Sequence, residues 1–124
     1  QYPNYIYNPI NYKNMPLHMA VYLGDYEKVK FLLELNTSQN LHVNQQDING
    51  DTPLHIAAGK GYIQITQLLL AHGARNIINR QSYSPADIAS ANRDSTLDIT
   101  KANQYNAVWK IITEYWINQM NELL

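Results

Sequence analysis

In the middle of the chain, two short apolar stretches flank a polar link that contains glycine, which predicts two helices packed against each other. Thr52 can cap the first helix with its hydroxyl, and Pro53 suits the first helical position, whose amide has no partner. Gly61 can adopt the positive φ that ends this helix and reverses the chain. A second helix is predicted from about residue 63 to residue 72, with three apolar residues on one face: Ile65, Leu68 and Leu69.

The same arrangement occurs on both sides of this central hairpin. Upstream, residues 16–33 repeat the pattern with Gly24 in the place of Gly61, and downstream, residues 84–89 repeat its opening. The prolines that open the three units stand at positions 16, 53 and 85, so the spacings are 37 and 32 residues. A helical hairpin of about thirty residues cannot bury its apolar face alone, so we expect the units to stack on one another.

The central unit resembles the ankyrin-repeat family in its motifs. Thr52-Pro53-Leu54-His55, Ala57-Ala58, Gly61 and Gly73-Ala74 stand where that family has them, and the similarity covers about residues 10–93. It implies an all-α fold: an ankyrin-repeat solenoid of about three helix-turn-helix units joined by hairpin loops, with an irregular N-terminal cap and a long C-terminal helix. The chain is then one domain over residues 1–124, made of a cap segment (1–13), repeat 1 (14–46), repeat 2 (47–78) and repeat 3 (79–124).

Three departures from the family pattern are visible. Repeat 1 carries about four additional residues around positions 36–42, and the polar stretch 36–44 predicts a surface loop. Repeat 3 has Ser84 for the usual threonine and Asp87 for the usual histidine, and Arg75 stands where the family prefers aspartate. These changes affect caps and loops, and leave the fold prediction unchanged.

The N-terminal segment departs from the repeat pattern. Residues 1–13 contain four tyrosines and two prolines, which favours an extended segment over a helix. This segment either covers the open end of the stack or offers its tyrosines as a contact patch for another protein.

The C-terminal part of repeat 3 is also irregular. A polar insertion from Asp94 to Tyr105 is predicted to delay the second helix, which would run from about Asn106 to Leu123. Its apolar stripe is expected to pack mainly in the core, but the helix is longer than its counterparts, so Met120 and the last two leucines can overhang. Self-association through this helix is therefore one alternative.

Composition and charge narrow the function classes. Nine basic and ten acidic residues give a net charge of −1, so there is no electrostatic reason to expect nucleic-acid binding. The chain has no cysteine, which excludes disulfides and thiolate metal sites and fits a reducing compartment. No apolar run approaches the roughly 18 to 20 residues needed to cross a bilayer, so membrane insertion is not expected. We expect a cytoplasmic location, or the host cytoplasm if the protein is a delivered effector.

The candidate chemical motifs indicate structural roles. His18 and His55 occupy the same place in adjacent repeats; a metal ion between them is one interpretation, but the family resemblance implies that they bond the backbone and hydroxyl groups of adjacent turns. Residues 47–51 begin like a calcium-binding loop, yet the glycine and glutamate required further along are absent. Residues 59–61 lack the spacing of a phosphate-binding loop, and no nucleophile motif is present. The sequence therefore predicts neither an enzyme nor a cofactor.

An ankyrin-type stack implies a concave surface formed by the hairpin loops and the first helices. Positions on that surface that the fold does not require are the candidate protein-binding residues: Tyr12, Asn14, Tyr22, Leu23, Gln46, Ile48, Asn49, Asp51, Lys60, Arg80, Gln81 and Tyr83. Tyrosine, arginine and exposed isoleucine are the expected anchors, because they supply large contact areas at interfaces. In the alternative interpretation, Ile48 and Ile78 pack one hairpin against the next.

The resemblance implies a protein–protein interaction module that binds a partner protein through this concave surface and forms part of a larger protein. The alternative is a targeting domain of an enzyme, or of an effector delivered into a host cell, whose catalytic part lies outside this chain.

Overall fold

The computed structural model describes residues 12–35 and 43–123. Within these ranges the only regular elements are six helices, which form three pairs: α1 (Pro16–Tyr22) with α2 (Tyr26–Leu35), α3 (Pro53–Lys60) with α4 (Ile63–Ala71), and α5 (Pro85–Ser95) with α6 (Ile99–Glu122). Helices α1, α3 and α5 stack as one layer, and α2, α4 and α6 form a second layer behind them. The predicted all-α solenoid of three helix-turn-helix units is confirmed.

The central helix pair follows the sequence prediction closely. The Thr52 hydroxyl accepts a bond from the backbone amide of His55 at 3.4 Å, and Pro53 takes the first helical position of α3. Gly61 ends α3 in the left-handed conformation, with φ 71°. Helix α4 ends at Ala71, so the predicted end at residue 72 is one residue too late.

The core lies between the two helical layers and is continuous through the three repeats. Ala57 and Ala58 are fully buried where α3 contacts both neighbouring inner helices, because only a small side chain allows such close approach. Larger apolar side chains from all three repeats fill the remaining space, and the most buried of them are Val21, Val29, Leu54, Ile56, Leu69, Ile88, Val108 and Ile112.

Two polar hairpin turns connect successive helix pairs. In the first, the amide of Asp47 donates to the carbonyl of Asp51 at 2.9 Å, and in the second, the amide of Asn79 donates to the carbonyl of Tyr83 at 2.9 Å. Each hairpin thus closes a turn over five residues, and the two closing bonds are related by the 32-residue spacing of the repeats. This repetition places the two hairpin tips side by side at one edge of the stack.

Gly50 is the tightest position in the first hairpin. Its φ is +81°, and a Cβ atom added there would lie 2.7 Å from the backbone nitrogen of Arg80 in the second hairpin. We expect Gly50→Ala to lower the free energy of unfolding by about 2 kcal/mol, because the substitution adds left-handed strain and forces the hairpins apart.

Gly73 provides the matched control for this prediction. It also has a positive φ, +93°, but a Cβ there would meet no atom within 4 Å. Gly73→Ala should therefore carry the conformational strain alone, about 1 kcal/mol. Urea unfolding of both variants measures the difference, and equal losses would contradict close contact between the hairpins.

The predicted start of the last helix was wrong. Helix α6 begins at Ile99, seven positions before the predicted Asn106, and α5 continues to Ser95. The side chain of Asp98 accepts a bond from the backbone amide of Lys101 at 3.2 Å and so caps the helix. The Tyr105 hydroxyl donates to the carbonyl of Gly59 at 3.3 Å, which ties the polar first turns of α6 to repeat 2. Most of the polar segment is therefore helical: residues 94 and 95 end α5, residues 99–105 begin α6, and only residues 96–98 link the two helices.

Two sequence predictions fall largely outside the described residues. These are the extended N-terminal cap over residues 1–13, of which the structure describes only residues 12 and 13, and the surface loop at 36–44, of which it describes only residues 43 and 44.

Candidate functional site

The two hairpins are shaped by one polar side chain each. Asp47 accepts bonds from the amides of Asn49 and Asp51 through Oδ1, at 2.8 and 2.9 Å. Asn79 occupies the equivalent position 32 residues later, and its Oδ1 accepts from the amides of Gln81 and Tyr83 at 2.9 and 3.0 Å. An acceptor that holds two amides of the same turn restricts the backbone conformation of the hairpin.

Direct hydrogen bonds join the first hairpin to the second. The amide of Arg80 donates to the carbonyl of Asn49 at 3.0 Å. The side-chain amide of Gln46 donates to the carbonyls of Gly50 and Ile78, at 2.8 and 3.1 Å. The hairpins therefore form one surface whose backbone is fixed at several points.

Two buried histidines link the inner helices α1 and α3 to the hairpins that follow them. Nε2 of His18 lies 2.9 Å from the carbonyl of Asp51, and Nε2 of His55 lies 2.9 Å from the carbonyl of Tyr83. Nδ1 of His55 accepts the amide of Thr52 at 3.0 Å, so Nε2 carries the proton and donates. These bonds occupy the ring nitrogens of His55 in the way the family resemblance implied.

In repeat 3, Asp87 occupies the position that His55 has in repeat 2, and the structure shows why this replacement is possible. Asp87 closes the N-terminal cap of α5: its Oδ2 accepts the amide of Ser84 at 2.9 Å, while the Ser84 hydroxyl accepts the amide of Asp87 at 3.1 Å. A carboxylate can complete this cap, but it has no N–H group that could donate to the carbonyl of a following hairpin. Within residues 12–35 and 43–123, no hairpin follows α5, so only the capping half of the role is needed.

Side chains towards the C-terminal ends of the inner helices form a second row of contacts between repeats. The Lys60 ammonium lies 4.4 Å from the centre of the Tyr22 ring, a cation–π contact between repeats 1 and 2. One repeat later, Nδ2 of Asn92 donates to the carbonyl of Gly59 at 3.2 Å. Lys60 and Asn92 stand 32 residues apart, and each contacts the preceding repeat. These contacts restrict the positions of the two side chains.

Ten of the twelve predicted binding residues are at least partly accessible. Ile48 is 66% exposed and Ile78, next to the second hairpin, is 58% exposed, so most of each side chain lies outside the contact between hairpins. Gln46, Asn49 and Arg80 are joined by the hairpin bonds described above. The accessible predicted residues are Asn14, Tyr22, Leu23, Gln46, Ile48, Asn49, Lys60, Arg80, Gln81 and Tyr83.

The other two predicted residues, Tyr12 and Asp51, are buried. Tyr12 is 2% exposed and its hydroxyl donates to Oδ2 of Asp47 at 3.2 Å; burial first, and then the charge of Asp47, raises the pKa of this phenol. Asp51 is fully buried, accepts Nδ2 of Asn79 at 2.9 Å, and has no hydrogen-bond partner for Oδ2 among the described residues. Neither side chain can reach a partner protein, so the prediction that both belong to the binding surface is wrong. Both have interior roles because the hairpin folds over them.

Sequence reasoning missed the organising roles of Asp47 and Asn79. The available signal was their spacing, since they stand 32 residues apart, as do Pro53 and Pro85. Two short polar side chains in the same register indicate a shared turn, even where the residue types differ.

The described residues contain no arrangement typical of a metal site or a membrane span. No group of three or more metal-ligating side chains is present in residues 12–35 and 43–123. In that part of the chain, no helix has the length and apolar character needed to cross a bilayer.

Comparison with known proteins agrees with this geometry. A family model described as ankyrin repeats in three copies matches residues 17–113. The chain belongs to the ankyrin-repeat family. Ankyrin repeats are generally protein–protein interaction modules, and domains of this family are typically non-catalytic.

Individual relatives of the ankyrin domain are much longer than this chain. It is 38% identical over 71 residues to ankyrin repeat domain-containing protein 13C of Danio rerio, which is 56% of this chain and 14% of that protein. The identity to the human protein of the same name is 35% over 71 residues, 56% of this chain and 12% of that protein. Human transient receptor potential cation channel subfamily A member 1 is 35% identical over 78 residues, 63% of this chain and 7% of that protein. The matched region thus covers a small fraction of each relative.

Proposed function

We propose that this ankyrin domain holds a segment of a partner protein against the tip surface, defined as Ile48, Asn49, Ile78, Arg80 and Gln81 together with the neighbouring pair Tyr22 and Lys60. The observation that carries the proposal is the exposure of two large apolar side chains, Ile48 and Ile78, on hairpins whose backbone is fixed by hydrogen bonds. Exposed apolar groups on a rigid framework are typical of binding surfaces.

Rigidity of the tip surface favours binding. Asp47 and Asn79 already hold the hairpin amides, and the bond from Arg80 to Asn49 already joins the two tips. A partner would therefore not have to order these loops, and less of its interaction free energy is lost on binding.

Charge on this side of the domain favours an acidic partner segment. Lys60 and Arg80 contribute positive charge to the tip surface, and the exposed Lys13 lies in the turn before α1. The nearby carboxyl groups of Asp47 and Asp51 are buried inside the hairpins, and the exposed carboxylate of Asp87 accepts the amide of Ser84 at the cap of α5. A segment that combines apolar side chains with aspartate or glutamate matches this distribution.

Paired substitutions test the tip surface. The chain carrying Ile48→Asp and Arg80→Asp should lose at least about 10-fold in affinity for partners captured by the intact chain, because an apolar anchor and a complementary charge are both removed. The matched control is Ile99→Asp with Lys101→Asp, two exposed residues at the start of α6. Partners would be identified by mass spectrometry, and their affinities measured by calorimetry. Equal affinities for the two double variants would contradict the proposal.

We also propose that the domain is one module of a larger protein, supported by the 7 to 14% of each relative's length that the matched region covers. A targeting domain of an enzyme, or of an effector delivered into a host cell, is the alternative at the level of the whole protein. A cytoplasmic location, or the host cytoplasm for an effector, fits a chain without cysteine. Partner identity differs between these settings, but the tip surface is the proposed contact in each.

A further inference from the structure

The end of helix α6 carries apolar side chains that nothing in the described chain covers. Four of them form the C-terminal stripe, defined as Trp116, Ile117, Met120 and Leu123, and each is at least half exposed. Their spacing of one, four and seven residues places them along one side of the helix end. A contiguous apolar stripe of this kind is typical of an interaction surface.

A groove lies directly beside this stripe. It has a volume of about 470 Å³ and lies between α6 and the segment that follows α4, with Leu70, Ile112 and Tyr115 among its apolar walls. Trp116 and Leu123 belong to both features, since they also line the groove. The C-terminal stripe and the groove therefore lie next to each other on one surface of the chain.

Opposite charges stand at the rim of the same groove. Arg75 and Glu122 both line it, both are exposed, and neither forms an ion pair within the described residues. A two-fold axis through this surface would bring Arg75 of each copy towards Glu122 of the other. The surface thus offers an apolar stripe beside an apolar groove, and a positive beside a negative side chain, which are the pairs that a closed two-fold contact brings together.

We propose that a second copy of this chain occupies the groove, so that the domain forms a two-fold dimer through α6. Ile117 and Met120 of each copy enter the groove of the other, and Arg75 pairs with Glu122 across the axis. Weak but specific interfaces bury about 1,200 Å² in total, and for a contact of that class we expect a dissociation constant in the micromolar range. None of the tip-surface residues lines the groove, so the dimer does not depend on the proposed partner binding.

Sedimentation velocity of the intact chain from about 5 to 300 μM is the first test. The proposal predicts a concentration-dependent shift from the 14.3 kDa monomer to a species of twice that mass. A monomer at every concentration would overturn it, and would leave the groove to a different protein.

Substitutions locate the contact. Ile117→Glu and Met120→Glu should each weaken dimerisation at least 10-fold, because a charge would be placed in the groove. The matched control is Ile99→Glu, on an exposed position at the other end of the same helix, and it should leave the dimer unchanged. Circular dichroism melting confirms that each variant is folded. A dimer that persists in both stripe variants, or that is lost equally in the control, would overturn the proposal.

A charge exchange tests the two-fold arrangement. Arg75→Glu and Glu122→Arg should each weaken dimerisation several-fold through like-charge repulsion, and the chain carrying both substitutions should recover the original dissociation constant. Failure of the double variant to recover would overturn the pairing of Arg75 with Glu122, and with it the proposed arrangement.

Discussion

Replacing His55 by alanine is expected to lower the free energy of unfolding by about 3 to 5 kcal/mol. The ring is fully buried, accepts the amide of Thr52 through Nδ1 at 3.0 Å, and donates through Nε2 to the carbonyl of Tyr83 at 2.9 Å. Alanine would leave a cavity and would also remove the bond between α3 and the second hairpin. Urea denaturation at pH 7 measures this loss.

His72 provides the control for His55. Its Nδ1 bonds the carbonyl of Leu68 at 3.0 Å, but the residue is exposed at the end of α4. His72→Ala should therefore change the free energy of unfolding by about 0.5 kcal/mol or less. A loss below about 1 kcal/mol for His55→Ala would contradict the role of this histidine in holding the hairpins to the helices.

The second large effect is a change in the pH dependence of stability when Asp51 becomes asparagine. On acidification from pH 7 to pH 5, we expect the free energy of unfolding of the Asp51→Asn variant to fall by about 2 kcal/mol or more. For the intact chain, we expect this fall to be smaller by about 1 kcal/mol. The variant and the intact chain differ because folding raises the pKa of Asp51 but lowers the pKa values of His55 and His18.

The histidines destabilise the fold in acid. Burial lowers the pKa of His55 from 6.5 to about 4 and also lowers the pKa of His18. Below pH 6.5 both rings stay neutral in the folded chain but take up protons in the unfolded chain. Their contribution to the free energy of unfolding is therefore fully present above pH 6.5 and is lost as the pH falls towards 4.

Asp51 acts in the opposite direction. Burial raises the pKa of its carboxyl group to about 6, against 3.8 when unfolded. Its stabilising contribution is complete below pH 3.8 and is lost as the pH rises through 6, so acidification from pH 7 to pH 5 offsets part of the histidine effect. Asparagine keeps the oxygen that accepts Nδ2 of Asn79 but cannot titrate. Urea unfolding at several pH values measures both curves, and identical slopes would contradict the raised pKa of Asp51.

The sequence specified the central repeat well because its signals are local. Thr52, Pro53 and Gly61 each act within one helical turn, and each occupies the predicted cap or stop. The start of α6 is harder to predict because residues 94–105 are polar, and a polar composition favours a loop. The local signal for a helix is Asp98, a good N-cap residue, whereas the contact of Tyr105 with repeat 2 is visible only in the packed structure.

Burial at the candidate site could not be predicted from local signals. Tyr12 and Ile48 are both apolar or aromatic residues at positions expected to face the partner, yet Tyr12 donates to Asp47 in the interior and Ile48 is exposed. The difference depends on how the first hairpin folds over α1, a contact between residues 35 positions apart in the case of Tyr12. Repeat register predicts which face a residue belongs to, and only the packed hairpins determine which side chains remain accessible.

Amide chemical shifts of the labelled domain would show whether a partner segment binds the tip surface. A partner captured by the intact chain would be reduced to its binding segment and titrated into isotope-labelled protein. We expect the largest shifts at Ile48, Asn49, Arg80 and Gln81, with smaller shifts near Tyr22 and Lys60. Shifts confined to α4 and α6, with the hairpin amides unchanged, would contradict this expectation.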